Sequence, residues 1–300
     1  MNLDIDPQRF QLHSSTLRGF KQSFVYEQSP HGNGIALLCV HGWPESKRIF
    51  WKVIEPLVAA GFDVIVPDLR GFGDSGLAPD GFYDTPSHSK DMHSLVHDQL
   101  GYDKVVVVGG DMGGPVIQDM ALRYPEFVDR MVLFNSPLPF DKERMKNIDG
   151  TRAPREAADY FIRQGTDADG LATELSTPDA RRRYIATFYG SRFWAHPGTF
   201  DQEAVDFHTE PFASAEVLRA SFGGYETNFI LTQTDLFATA ISGNGISDVV
   251  THYFNYNNEV PKHYDEANML HFGKTKLCRI LHHFGMFCTK DIVSCCVGFY

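Results

Sequence analysis

Two hydrophobic periods alternate along the first 137 residues. Apolar runs at 21–28 and 35–40 flank the turn Ser29-Pro30-His31-Gly32-Asn33-Gly34 and read as strands. Residues 48–60 switch to helical spacing, with Trp51, Ile54, Leu57 and Val58 on one face. A strand follows at 62–67, a helix across about 86–100, and then the four valines 105–108. Helical spacing returns with Val116, Ile117, Met120 and Ala121, and a strand at 131–134 runs into Asn135-Ser136-Pro137. Strands and helices taking turns in this way predict an α/β fold with a mostly parallel central sheet flanked by helices. From 141 to 225 the pattern becomes helical and charged, with scattered aromatics; an insertion of that size after a sheet strand reads as a helical lid. Two further strands, 249–254 and 276–281, and a closing helix at about 289–299 are expected.

The valine strand ends in Gly109-Gly-Asp111-Met-Gly113-Gly114, and the next helix begins at once. This is the layout of a nucleophile elbow, a strained strand-to-helix turn that displays its central residue at a helix N-terminus. Gly109 and Gly113 hold positions where a side chain would strike the backbone of so sharp a turn. The central residue here is aspartate. A carboxylate nucleophile attacks saturated carbon, opening an epoxide or displacing a halide, and leaves an ester on the enzyme. A phosphate cradle fits the same glycines poorly. Asp111 stands where Gly-x-Gly-x-x-Gly needs its second glycine, and it would repel the anion.

Composition narrows the partners. The chain of 300 residues, 43% hydrophobic, can bury one large core and carry an insertion. Its formal charge of −11, with no basic run beyond Arg181-Arg182-Arg183, argues against nucleic acid and anionic membranes. The opening residues have neither the basic nor the apolar region of a secretory signal, and no apolar run is long enough for a bilayer. Five cysteines, Cys39 in a predicted core strand and Cys278, Cys288, Cys295 and Cys296 near the end, show no zinc-ligand spacing with histidines. They read as reduced thiols of a cytoplasmic protein.

A second motif, His41-Gly-Trp-Pro-Glu-Ser46, follows the strand that ends at Val40. Glycine and proline open the backbone there, so that the Trp43 N–H can join the Met112 N–H in an oxyanion hole, with His41 beside the pocket. With His41-Gly-Trp-Pro44, Asp68-Leu-Arg-Gly-Phe-Gly-Asp-Ser75 and Gly109-Gly-Asp-Met-Gly113, the chain resembles the α/β-hydrolase superfamily. Within it, the chain is most similar to the epoxide hydrolases and the related dehalogenases. The resemblance is close to about residue 225 and loose after it. It implies an α/β-hydrolase core of residues 1–137 and 226–300, a helical lid at 138–225, and a cofactor-independent two-step reaction on a small apolar substrate. The aspartate forms an ester, and a histidine-activated water hydrolyses it.

Met112, Gly113 and Gly114 offer neither the tryptophan that follows the nucleophile in haloalkane dehalogenases nor the arginines of haloacetate dehalogenases. Epoxide hydrolases place two lid tyrosines whose hydroxyls donate to the epoxide oxygen as it becomes an alkoxide. By resemblance these are Tyr160 and Tyr225, with Tyr184, Tyr189 and Trp194 as further pocket candidates. The resemblance makes His283, in Leu281-His282-His283-Phe284, the base, with His282 next. The family's positions for the acid hold asparagines, Asn257 and Asn135. An amide orients an imidazole without stabilising its charge, a change that costs serine triads about 10⁴-fold. Glu259 is the candidate replacement, ahead of Asp248 and Asp265. The expectation is thus an epoxide hydrolase. A dehalogenase of the same fold, and a receptor-like homologue that keeps the pocket and has lost turnover, are the alternatives.

Overall fold

The computed structural model describes residues 5–32, 34–136, 159–189 and 199–226. The strands β1 (Leu12–Leu17), β2 (Phe20–Glu27), β3 (Ala36–Val40), β4 (Asp63–Pro67), β5 (Val105–Gly110) and β6 (Val128–Phe134) form one sheet in the order β1-β2-β4-β3-β5-β6. β4, β3, β5 and β6 are parallel, while β1 and β2 form an antiparallel hairpin joined to β4. β1 escaped the sequence pattern because it is an edge strand, Leu-His-Ser-Ser-Thr-Leu, with most of its side chains at least partly in solvent. Its inward positions His13 and Ser15 are polar and only half-buried, so no apolar alternation shows before Leu17.

Connections run through α1 (Trp51–Ala59), α2 (Thr85–His93) and α3 (Gly113–Arg123). A 3-10 turn at Lys47–Phe50 leads into α1, and a π-helical segment, Ser94–Gln99, prolongs α2. The alternation of side chains along β3 sorts the core onto two faces. Leu37 and Cys39 join Val64, Val66, Trp51 and Ile54 on one face, and Leu38 and Val40 join Ile65, Val107, Val116 and Ile117 on the other. Burying each aliphatic chain contributes on the order of 1.5–3 kcal/mol. Cys39 is a free thiol inside this core, and burial pushes it up to about 12.

Beyond β6, the described residues are helical: α4 (Asp159–Thr166), α5 (Ala168–Glu174), α6 (Pro178–Tyr189), α7 (Gln202–Thr209) and α8 (Ala215–Ser221). They meet the sheet through the loop after β3. The Tyr189 hydroxyl donates to Pro44 O at 2.7 Å, the Trp43 indole N–H to Ser221 Oγ at 3.1 Å, and Arg48 to Phe207 O at 2.7 Å. Among the described residues no helix is long and apolar enough to cross a membrane. The strands expected at 249–254 and 276–281 and the helix at 289–299 lie outside the described residues.

The loop after β4 is locked by buried charge. Asp68 accepts from the Lys47 backbone N–H at 2.9 Å, from Lys47 Nζ at 2.5 Å and from the Asp74 N–H at 2.8 Å. Two residues further on, the fully buried Arg70 guanidinium donates to Asp91 at 2.5 and 2.8 Å and to Asp80 at 2.9 Å. The Asp68–Ser75 motif is therefore a clamp that fixes the wall of the site, with its charges satisfied as burial requires.

Candidate active site

The parallel strands end together. Val40 pairs with Gly109, and Gly110 with Phe134, so that the loops beginning at His41, Asp111 and Asn135 emerge side by side. The crevice outside the carboxyl ends of such strands is where α/β folds bind ligands. Asp111 occupies the turn from β5 to α3 with φ +48°, the left-handed region that an L-residue enters at a cost of about 1–2 kcal/mol. The strain is held from both sides: the Asp111 N–H donates to Asn135 O at 3.0 Å, and Ser136 Oγ to Asp111 O at 3.2 Å. A side chain at Gly113 would run into the carbonyl of Val40, and one at Gly42 would stand 2.7 Å from Asp111 Oδ1. The glycines thus let strand, loop and helix close around the carboxylate.

Asp111 Oδ1 accepts two backbone N–H groups, from Trp43 at 2.9 Å and from Met112 at 2.6 Å. The carboxyl lies above the usual carboxylate range because burial disfavours its charge; the two N–H bonds oppose that rise. Oδ1 is thus seated on two donors, and among the described residues Oδ2 has no backbone partner of this kind.

An aromatic wall stands over the carboxylate. Trp43 stacks on Tyr160 at 5.3 Å and meets Phe188 and Tyr225 edge-on at 4.9 and 5.8 Å. The hydroxyls of Tyr160 and Tyr225 hydrogen-bond each other. Both phenols are raised, first by burial and then by charge and partner effects that include Asp111, so both keep their protons at neutral pH. Tyr184 is near both, and its hydroxyl accepts from Gln164 at 2.8 Å.

Two expected pocket residues are committed elsewhere. His41 is buried, with Nδ1 on Gly42 O at 2.9 Å and Nε2 accepting the Leu69 N–H at 3.0 Å. Its imidazole ties the loops after β3 and β4 together, and burial lowers its pKa, so it does not face a substrate. Tyr189 is likewise a brace. Its hydroxyl is spent on Pro44 O and its ring stacks on His208 at 5.2 Å. Asn135, with φ +43°, has an exposed side chain and serves Asp111 through its carbonyl. Trp194, Asn257, Glu259, His282 and His283 lie outside the described residues, as do Asp248 and Asp265.

Glu45 was overlooked in the sequence although it lies inside the second motif. Its Oε2 accepts the Gly42 N–H at 2.7 Å, and its own N–H donates to Gly42 O at 3.2 Å. Burial, and then the charge of Asp111, push its carboxyl up to about 7. The legible signal was the spacing: a glutamate three residues after an open backbone N–H reaches back to cap it, as in a capping box.

A model of the α/β hydrolase fold family matches residues 35–207, more than half of the chain. The chain belongs to the α/β-hydrolase fold family. A second model, of the prolyl oligopeptidase family, matches 217–276, most of which lies outside the described residues. Over 123 residues this α/β-hydrolase is 37% identical to a soluble epoxide hydrolase of Corynebacterium sp. (strain C12), covering 41% of each chain. Over 107 residues it is 36% identical to bifunctional epoxide hydrolase 2 of Sus scrofa, covering 35% of this chain and 19% of that one. The alignments thus span less than half the length of these curated relatives. The solved structure of epoxide hydrolase CorEH without ligand superposes with a TM-score of 0.61 at 25% identity, over 76% of each chain.

Proposed function

We propose that this chain is an enzyme, a hydrolase that opens an epoxide to a diol through an ester on Asp111. The observation that carries the reading is the convergence of the Trp43 and Met112 N–H groups on Asp111 Oδ1. In the first step Oδ2 attacks an epoxide carbon and the C–O bond of the ring breaks. The oxygen that leaves takes a proton from Tyr160 or Tyr225, the two phenols that stay protonated beside the carboxylate. In the second step water adds to the carboxyl carbon of the ester. Negative charge then gathers on Oδ1, already seated on its two donors, and such donors are worth roughly 10²–10³-fold each. The tetrahedral species collapses, the diol departs with the former Oδ2, and one water oxygen stays on Asp111.

The water must lose a proton. By resemblance His283 takes it. Glu45, beside Asp111 and with a carboxyl near neutrality, is a second acceptor within this site. The wall of Trp43, Tyr160, Phe188 and Tyr225 suits a small apolar epoxide better than a charged one. We assign residues 138–225 to a lid over a core of 1–137 and 226–300; the contacts of Ser221 and Tyr189 with the Trp43 loop support this division.

Intact-protein mass spectrometry after exposure to a panel of small epoxides tests the reading. The wild-type chain should gain one epoxide mass, and Asp111→Ala should gain none. Equal labelling of both would remove Asp111 from the chemistry. In water enriched in ¹⁸O, a single turnover should place the heavy oxygen on Asp111 and none in the diol. A second reading, an ester that forms and persists so that the chain acts as a binder, draws on Asn135 at the end of β6, where an acid would otherwise serve the base. Stoichiometric labelling without diol release would favour it.

A further inference from the structure

We propose that His93, His97 and Asp98 form a binding site for a late first-row divalent cation, zinc above all. None of the three belongs to the candidate active site. Each offers one ligand atom, and these atoms lie within 4.8 Å of one another. A tetrahedral zinc, with bonds of about 2 Å, asks for ligand atoms roughly 3.3 Å apart. His97 and Asp98 have side chains 45% and 57% exposed, so rotation of two solvent-facing groups closes the difference.

The other features of the cluster favour a cation. His93 is held in place by its neighbours: it stacks on Tyr124 at 3.8 Å and on His97 at 4.9 Å, with Phe127 edge-on at 4.8 Å. One ligand is therefore anchored before an ion arrives. Asp98 Oδ1 meets His97 Nδ1 at 2.9 Å, and Ser94 Oγ donates to Asp98 Oδ2 at 2.9 Å. The contact with His97 sets a carboxylate oxygen beside an imidazole nitrogen, two zinc-ligand atom types, and an ion drawn between them would replace the hydrogen bond. The three residues sit where α2 continues into its π-helical last turns, the end at which backbone carbonyls present partial negative charge. π-Helical turns are rare and concentrate at functional sites. Imidazole pairs with a carboxylate suit zinc and copper; magnesium and calcium prefer oxygen alone.

Calorimetric titration of the full chain with zinc chloride at neutral pH, with magnesium chloride as the control, tests the site. One zinc per chain should bind, the melting temperature should rise with zinc and fall back with a chelator, and magnesium should do neither. His97→Ala, at an exposed position, should weaken zinc binding at least tenfold. His93→Phe, which keeps the stack on Tyr124 and removes the ligand, should do the same. Asp98→Asn should weaken it about tenfold. No saturable zinc binding, or binding that survives both histidine substitutions, would overturn the proposal.

Discussion

Glu45 shows how much a single residue depends on what folds around it. Its covalent neighbours make it an ordinary loop glutamate, yet burial and Asp111 raise it to about 7. The folded chain keeps this proton up to about pH 7, whereas an unfolded glutamate releases it near 4.5. Between those values the native state binds more protons than the unfolded state, so Glu45 lowers stability as pH rises across the window. Glu45→Gln should remove that part of the pH dependence, which urea unfolding at pH 5 and pH 7 measures. If Glu45 also accepts the proton of the hydrolytic water, ester breakdown in the wild type should climb through about pH 7. The Gln variant should flatten that limb and leave alkylation nearly unchanged. A pH–rate profile identical in both would withdraw the role of Glu45.

At the scale of elements, the site is assembled by strand ends and helix starts. β3 supplies the loop of Trp43, β5 and α3 hold Asp111 between them, and α4 brings Tyr160, with Tyr225 just past α8. The two tyrosines belong to segments far apart in sequence, and their hydrogen bond makes them one donor pair above the carboxylate. Tyr160→Phe and Tyr225→Phe should each slow the alkylation step by roughly 10²-fold, the ordinary loss when a positioned proton donor is removed. The double variant should lose more. Rapid-quench measurement of ester formation reads this directly, and unaltered rates in both single variants would direct the epoxide oxygen elsewhere. The valine run of β5 and the glycines of the elbow were legible because they are contiguous. β1 was not, because it lies at an edge and its inward positions His13 and Ser15 are polar and only half-buried.

For the molecule as a whole, the buried ion pairs beneath the loop after β4 join segments that no local pattern relates. Arg70 and Asp91 are both fully buried, with Arg18 and Asp80 completing the cluster. Arg70→Met should lower the unfolding free energy by about 3–5 kcal/mol, because the Asp91 charge would stay inside without its main partner. Denaturant titration at neutral pH measures it. A loss under about 1 kcal/mol would mean that Arg18 alone compensates Asp91. The same architecture explains why the candidate site tolerates a strained aspartate. The sheet register, the α3 helix and the Asn135 carbonyl all fix the turn that the positive φ of Asp111 requires.

By itself the sequence determined the strand-turn-helix unit at Asp111, the open loop at His41-Gly-Trp-Pro44 and the alternation that makes an α/β fold. Each of these is encoded by neighbours along the chain, through side-chain period, glycine freedom and proline geometry. The motifs placed the Trp43 N–H at the oxyanion hole, and tertiary structure decided that, from 68 residues away, it rests on Asp111 Oδ1. It also decided that His41 and Tyr189 brace the walls of the site, and that Glu45 titrates near neutrality. These outcomes depend on desolvation and on which donors arrive from distant segments. Composition and spacing do not carry that information, because the same residue type is charged or neutral, free or committed, according to what packs against it.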